Sequence, residues 1–187
     1  MAAMMNDVLT KLKGGDRRSI GRSDEAVQNI EKTPALFADL FAGLFDADPV
    51  VRMRAADAIE KSTRNSPELL RQWKRALLER VSVLQEKEVR WHIAQLIPRL
   101  SLTPDEQAAA VEILIRYLDD ESSIVKTFSM QALADLALRD DRLRSQVGPL
   151  IERLTQTGTP AMRSRGRKLL KQLGRPSIPK GRKTSVR

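Results

Sequence analysis

Few side chains in this sequence could take part in covalent or acid–base chemistry. The 187 residues include no cysteine and a single histidine, His92. Disulfides, thiolate nucleophiles and Cys-ligated zinc are therefore excluded, and a catalytic triad or a His-rich metal site would be hard to build. Because no acid and nucleophile can be assigned beside it, we predict that His92 is a surface histidine and not a catalyst.

Carboxylates are the other candidates. Adjacent pairs such as Asp119-Asp120 and Asp140-Asp141 point apart, whereas general acid–base catalysis needs two groups that face one substrate. Three acidic turns could suggest a calcium or magnesium site, but they lack the glycine and the ordered oxygen spacing of a dedicated loop. We predict that they cap the helices that follow: Asp46-Ala47-Asp48, Glu86-Lys87-Glu88 and Asp119-Asp120-Glu121.

Glycine offers no clearer signal. The pair Gly14-Gly15 lacks both a preceding strand and the lysine-serine ending of a phosphate-binding loop. We therefore assign no catalytic residue, no metal ligand, no cofactor and no small-molecule substrate.

The elements that carry these residues repeat along the chain. An apolar residue followed by a cation recurs four times, with the cations 38, 36 and 37 residues apart, at Arg52, Arg90, Lys126 and Arg163. Each recurrence opens an Ala/Leu-rich helix. An earlier helix with apolar spacings of three and four precedes each of them, predicted at 34–45, 67–84, 104–118 and 141–154. Nothing in the sequence indicates a strand, so the predicted fold class is all-α with about four helical hairpins.

One repeat is distinctive enough to suggest a family. The segment Asp48-Pro49-Val50-Val51-Arg52 resembles the start of the second helix of HEAT repeats, and Val147-Gly148-Pro149-Leu150-Ile151 resembles their proline-bent first helix. The resemblance covers about 34–173. It implies antiparallel helix pairs stacked into an α-α superhelix, in which the second helices line the concave surface. We predict a helical cap at 1–33 and a basic, disordered tail at 174–187.

The helical wheel of the second helices separates two sets of polar residues. The Val-Arg cations Arg52, Arg90, Lys126 and Arg163 fall on the buried side, so we expect them to pair with acids of neighbouring turns. The opposite arc is predicted to face solvent on the concave surface and to bind a partner, with Phe128 as a candidate hot spot. Its residues are Arg54, Asp57, Lys61, His92, Gln95, Arg99, Phe128, Gln131, Asp135, Arg165 and Lys168.

Charge is concentrated at the C-terminal end. The net charge is +9, and no acid follows Glu152, whereas ten basic residues follow Gly158. Such a region could neutralise phosphates and release counterions, or it could be only a solvated segment. The candidate phosphate contacts are Arg163, Arg167, Lys171, Arg175, Lys180, Arg182 and Lys183.

Three function classes follow from these patterns. A non-catalytic scaffold that binds another protein through the concave surface is favoured, because stacked repeats create extended concave surfaces. Nucleic-acid binding through that surface and the basic end is the alternative. An enzyme is the remaining class, since some HEAT-like proteins resemble glycosylases for alkylated bases or bilin lyases; here it would depend on Asp57 with Trp91. No secretory signal or membrane span is indicated, so we expect a cytoplasmic protein.

Overall fold

The computed structural model describes residues 8–15 and 19–174. Every regular element in these ranges is helical, and none is a strand, so the chain has an all-α, repeat-like fold. The chain divides into two compact units, Met1–Ala132 and Leu133–Arg187. From position 175 onward the predicted tail lies outside the described residues.

The first unit holds most of the predicted hairpins. A short helix at 8–12, which we call α1, precedes the other elements. These are α2 (Ser23–Lys32), α3 (Phe37–Ala42) between the 3₁₀ turns Pro34–Leu36 and Gly43–Phe45, and α4 (Pro49–Ser62). They continue with α5 (Lys74–Ala76) between the 3₁₀ segment Pro67–Trp73 and the π-helical turn Leu77–Val81, then α6 (Lys87–Leu96) with the 3₁₀ turn Ile97–Arg99, and α7 (Pro104–Tyr117).

Helix α8 (Ser123–Ala137) begins in the first unit, and α9 (Asp141–Thr157) and α10 (Pro160–Leu173) form a hairpin in the second. The apolar face of α10, with Met162 and Leu169, is buried, as is Val147 of α9. The hairpin turn needs Gly158, because an added Cβ there would lie 2.5 Å from the carbonyl oxygen of Leu154 and 2.8 Å from the Met162 side chain.

The first unit has two layers. In the inner layer α4 packs against both α2 and α6. In the outer layer the Phe41 and Trp73 rings stack with centroids 4.3 Å apart, and Tyr117 donates a hydrogen bond to the carbonyl of Ser82 at 2.8 Å. The Trp73 ring therefore packs between these outer segments.

The buried face of α7 differs from the stripe that its sequence predicts. Ala108, Val111, Ile115 and Leu118 are spaced by three and four residues and predict one apolar stripe. Leu118 is buried, but Ala108 and Ile115 are exposed. Within the helix the buried positions are Ala110, Ile113, Leu114 and Tyr117.

Of the three acidic turns predicted to cap a second helix, the turn before α4 does so. Asp48 Oδ1 accepts a hydrogen bond from the Val50 amide at 2.8 Å, which satisfies one of the free N–H groups at the start of α4. Thr159, in the turn that lacks acids, uses its hydroxyl oxygen to accept from the Met162 amide at 3.4 Å. Glu86 makes no such cap at α6, because its carboxylate binds an arginine.

Two of the Val-Arg cations form the predicted ladder. Arg52 pairs with Glu86 in the turn before α6, and it donates to the carbonyl of Asp46 at 2.6 Å. Arg90 pairs with Asp120 in the turn before α8 at 2.6 Å, and the carboxylate side chain is only 7% exposed. Each arginine therefore joins its own helix to the turn that opens the next inner helix.

The other two cations depart from the ladder. Lys126 is half-buried and forms no ion pair with a described acid. Both ladder arginines pair with an acid 30 to 34 residues further on, and the corresponding positions 156–160 contain no acid. Arg163 is exposed, so its predicted position on the buried side is wrong. With no acid after Glu152 in the sequence, burial would have left its charge unpaired.

We predict that breaking the ladder pair Arg90–Asp120 destabilises the fold far more than breaking an exposed pair. Arg90→Met should lower the free energy of unfolding by about 3 kcal/mol, because it leaves a buried carboxylate without its partner. Arg75→Met, which removes an exposed pair with Glu79, should cost less than about 1 kcal/mol. Urea denaturation followed by tryptophan fluorescence measures both; equal costs would contradict the ladder's structural role.

Candidate functional site

The polar arc predicted to face solvent lies largely in the seams between inner helices. Since α4 has a neighbour on each side, its polar residues meet side chains of α2 or of α6. A charge at such a seam loses part of its hydration and must find a partner there. Two networks of this kind occur, one in each seam.

The first network joins α2 to α4. Lys61 Nζ lies 2.7 Å from Asp24 Oδ1 and 2.8 Å from Asp57 Oδ2, and Ser23 donates a hydrogen bond to the same Asp57 oxygen. Burial alone would lower the pKa of Lys61, but its hydrogen bonds to Asp24 and Asp57 outweigh burial and raise that pKa. Lys61 and Asp57 are thus half-buried and engaged with each other and with α2.

The second network joins α4 to the end of α6. Glu60 is buried and accepts hydrogen bonds from Arg64 at 2.6 Å and from Arg99. Arg99 also donates to the Glu60 carbonyl at 2.6 Å and to the Thr63 hydroxyl at 2.8 Å. Burial would raise the pKa of Glu60, but the hydrogen bonds from the two arginines lower it overall, so its carboxylate stays ionised.

Arg54 was predicted to lie on the solvent-facing arc, and that prediction is wrong: only 2% of the residue is exposed. Its guanidinium donates to backbone carbonyls of the N-terminal segment, at 2.9 Å to Leu12, 2.6 Å to Gly14 and 3.0 Å to Ser19. Gly21, at φ +56°, allows this segment to approach, because an added Cβ would lie 2.7 Å from the guanidinium. The N-terminal segment therefore covers the side of α4 that the helical wheel predicted to face solvent.

His92 was also predicted to lie at the surface, and it is buried, with 8% exposed. It lies on α6 in the field of Asp57 and Glu60, and Trp91 packs edge-on with ring centroids 5.5 Å apart. Its Nδ1 has no hydrogen-bond partner in the described ranges. Burial lowers the pKa of His92 to about 4, so the imidazole is neutral at physiological pH.

The rest of the predicted concave set is more accessible. Gln95, Phe128 and Gln131 are half-buried in the first unit, and the amide of Gln95 donates to the Trp91 carbonyl at 3.3 Å. Three members belong to the second unit, where Asp135 and Arg165 are half-buried and Lys168 is exposed. The sequence analysis missed Ile124, which is 45% exposed four residues before Phe128.

A polar groove of about 860 Å³ lies between the segments at 85–90 and 119–124. Its lining includes five acids, of which Glu86 and Asp120 are the ladder partners of Arg52 and Arg90. The groove is therefore part of the stacking contact between repeats. The acidic turns could be recognised in the sequence, but their meeting at one groove could not.

The basic face of α10 differs from the inner layer because its cations are exposed. Arg163, Arg167 and Lys171 are four residues apart and Lys168 lies beside them, and all four are exposed. None of the four forms an ion pair within the part of the chain that the structure describes, and α10 contains no acid. Four residues of helix rise roughly 6 Å, so the three aligned cations span about 12 Å. Arg175, Lys180, Arg182 and Lys183 lie outside the described residues.

Comparisons with known proteins bear on the fold alone. No protein-family model matches the chain, and no curated protein is significantly similar to it in sequence. The chain is similar to the crystal structure of an engineered protein from the Northeast Structural Genomics Consortium, with a TM-score of 0.62 and 17% identity, covering 92% of this chain and 80% of that one. This similarity supports the all-helical fold, and HEAT-repeat membership stays a prediction.

Two other kinds of site are absent from the described ranges. None of the helices there combines the length and the apolar character that crossing a membrane requires. Groups of three or more metal-ligating His, Cys, Asp or Glu side chains are likewise not found in those ranges.

We predict that His92 makes the protein less stable in mild acid. Its folded pKa of about 4 lies below its ordinary value of 6.5, so the unfolded chain binds the extra proton first and stability falls as pH drops below about 6.5. Between pH 7.5 and 5 the wild type should lose about 2 kcal/mol more unfolding free energy than His92→Gln. Urea titrations at both pH values measure this difference. Identical pH dependence in the two proteins would show that the imidazole is not held neutral.

Proposed function

We propose that this protein is a non-catalytic binding protein for another macromolecule, and that the basic face of α10 binds the phosphates of a nucleic acid. The observation that carries the proposal is the row Arg163, Arg167 and Lys171, exposed on one side of a helix that has no acid. A nucleic acid gains free energy from such cations because they neutralise its phosphates and release the counterions condensed on it.

The contrast with the inner layer supports this choice of surface. Lys61 and Arg99 already hold carboxylates of neighbouring helices, so binding a ligand there would first break pairs inside the fold. Binding to the α10 cations breaks no ion pair within the described ranges, because these side chains are exposed to water before the ligand arrives. A preformed, exposed charge row is the less costly site for a polyanion.

The sequence beyond α10 is also positively charged. Arg175, Lys180, Arg182, Lys183 and Arg187 follow the helix, and no acid accompanies them. Phosphate contacts made by this segment would add to those of α10 and would steepen the salt dependence of binding.

We expect the α10 row to dominate affinity for nucleic acid. The variant Arg163→Ala/Arg167→Ala/Lys171→Ala should bind a fluorescein-labelled DNA duplex about 10- to 100-fold more weakly at moderate salt, because three phosphate contacts are lost. A matched control is Arg71→Ala/Lys87→Ala/Arg116→Ala, which removes three exposed cations elsewhere and should change affinity less than about threefold. Fluorescence anisotropy measures both, and circular dichroism checks the fold. Equal losses in the two variants would reject α10 as the site.

A protein partner on the inner layer is the second candidate. The observation that favours it is the exposure of Ile124, one turn from the half-buried Phe128, on a layer that is otherwise polar. Apolar side chains at such a position are typical anchors of protein interfaces.

For this candidate we expect that Ile124→Ser/Phe128→Ser abolishes enrichment of a specific partner in affinity purification with quantitative mass spectrometry. Ile115→Ser is the control, because Ile115 is 43% exposed on α7, outside the inner layer. A partner recovered equally with all three proteins would contradict binding through α8.

A further inference from the structure

We infer that the nucleic acid bound by α10 is a duplex, held through its phosphates and not through stacked bases. This inference rests on the proposed function and specifies its ligand. It follows from the spacing of the cations on α10, from the charge density of the ligand, and from the lack of aromatic residues in the sequence of the second unit.

The first observation concerns stacking. Proteins that hold single strands without sequence preference combine a basic groove with aromatic side chains on which the bases stack. All seven aromatic residues of this chain lie at or before Phe128, so the sequence of the second unit contains none. A flexible single strand would therefore find charge on α10 but no aromatic ring on which its bases could stack.

The second observation is the order of the charges. Arg163, Arg167 and Lys171 follow one line at intervals of roughly 6 Å along a regular helix. A rigid row of this kind suits a ligand whose phosphates are themselves held in a regular line, as in a duplex. A single strand would have to be straightened to match it, and that ordering costs conformational entropy.

The third consideration is charge density. Duplex DNA carries one negative charge per roughly 1.7 Å of its axis and releases about 0.9 counterion per neutralised phosphate, against about 0.7 for single strands. The same cations therefore gain more free energy on a duplex. Lys168 adds a fourth exposed charge beside the row, and the exposed Ser164 and Gln172 can donate hydrogen bonds to phosphate oxygens.

The test compares a fluorescein-labelled duplex with each of its separated strands, using the full chain between about 50 and 200 mM salt. We expect the duplex to bind at least about tenfold more tightly, with a logarithmic salt slope that becomes shallower by about 2.7 in Arg163→Ala/Arg167→Ala/Lys171→Ala. Anionic phospholipid vesicles form a further arm, because a lipid surface also offers phosphates.

The outcomes separate the two proposals. Single strands that bind as tightly as the duplex, with the α10 variant weakening both, would overturn the duplex inference and leave nucleic-acid binding intact. Failure of duplex and single strands alike, even at low salt, would overturn both. Binding to anionic vesicles with no binding to the duplex would identify a membrane surface as the ligand and reject both proposals.

Discussion

A positive charge removed from water must be paired, and in Met1–Ala132 this constraint links one helical repeat to the next. Arg52 reaches Glu86 and Arg90 reaches Asp120, so each of these two arginines, near the start of an inner helix, is paired with the turn that opens the following one. Such a pair adds little net free energy, because desolvation of both groups offsets their attraction. Its main consequence is register: a hairpin that slid along its neighbour would leave a half-buried arginine and a half-buried acid alone.

The same constraint determines which polar residues remain available for a ligand. Side chains of α4 that point away from the apolar core meet α2 or α6, and there Lys61, Glu60 and Arg99 complete two networks. Many polar side chains of the inner layer are therefore engaged in ion pairs between helices. What stays accessible around Phe128 is a mixed set of the apolar Ile124 and the polar Gln95 and Gln131, a composition that our second candidate assigns to a protein partner.

In the second unit, by contrast, the cations of α10 are exposed and have no acid on their own helix. Its hairpin buries Met162 and Leu169 of α10 and leaves Arg163, Arg167 and Lys171 exposed, and the sequence supplies no acid beyond Glu152 to neutralise them. Charges of one sign on one face repel each other and attract a partner of opposite sign. The proposal of phosphate binding thus has the same physical basis as the ladder: the first unit supplies carboxylates to its arginines, whereas α10 depends on a ligand to supply the anions.

Helix positions, helix boundaries within a few residues, the Asp48 cap and the pairing of two ladder arginines were predicted from the sequence itself, because spacings of three and four, prolines and acidic turns are visible in it directly. Only the tertiary structure decided what covers each face. A helical wheel assigned Arg54 and His92 to the open side of their helices, but the N-terminal segment lies over Arg54, and the contact between α4 and α6 encloses His92. Those contacts join residues up to 42 positions apart, and no local periodicity records them. On α7 the buried stripe likewise includes Tyr117, whose hydroxyl donates to the carbonyl of Ser82, 35 positions earlier.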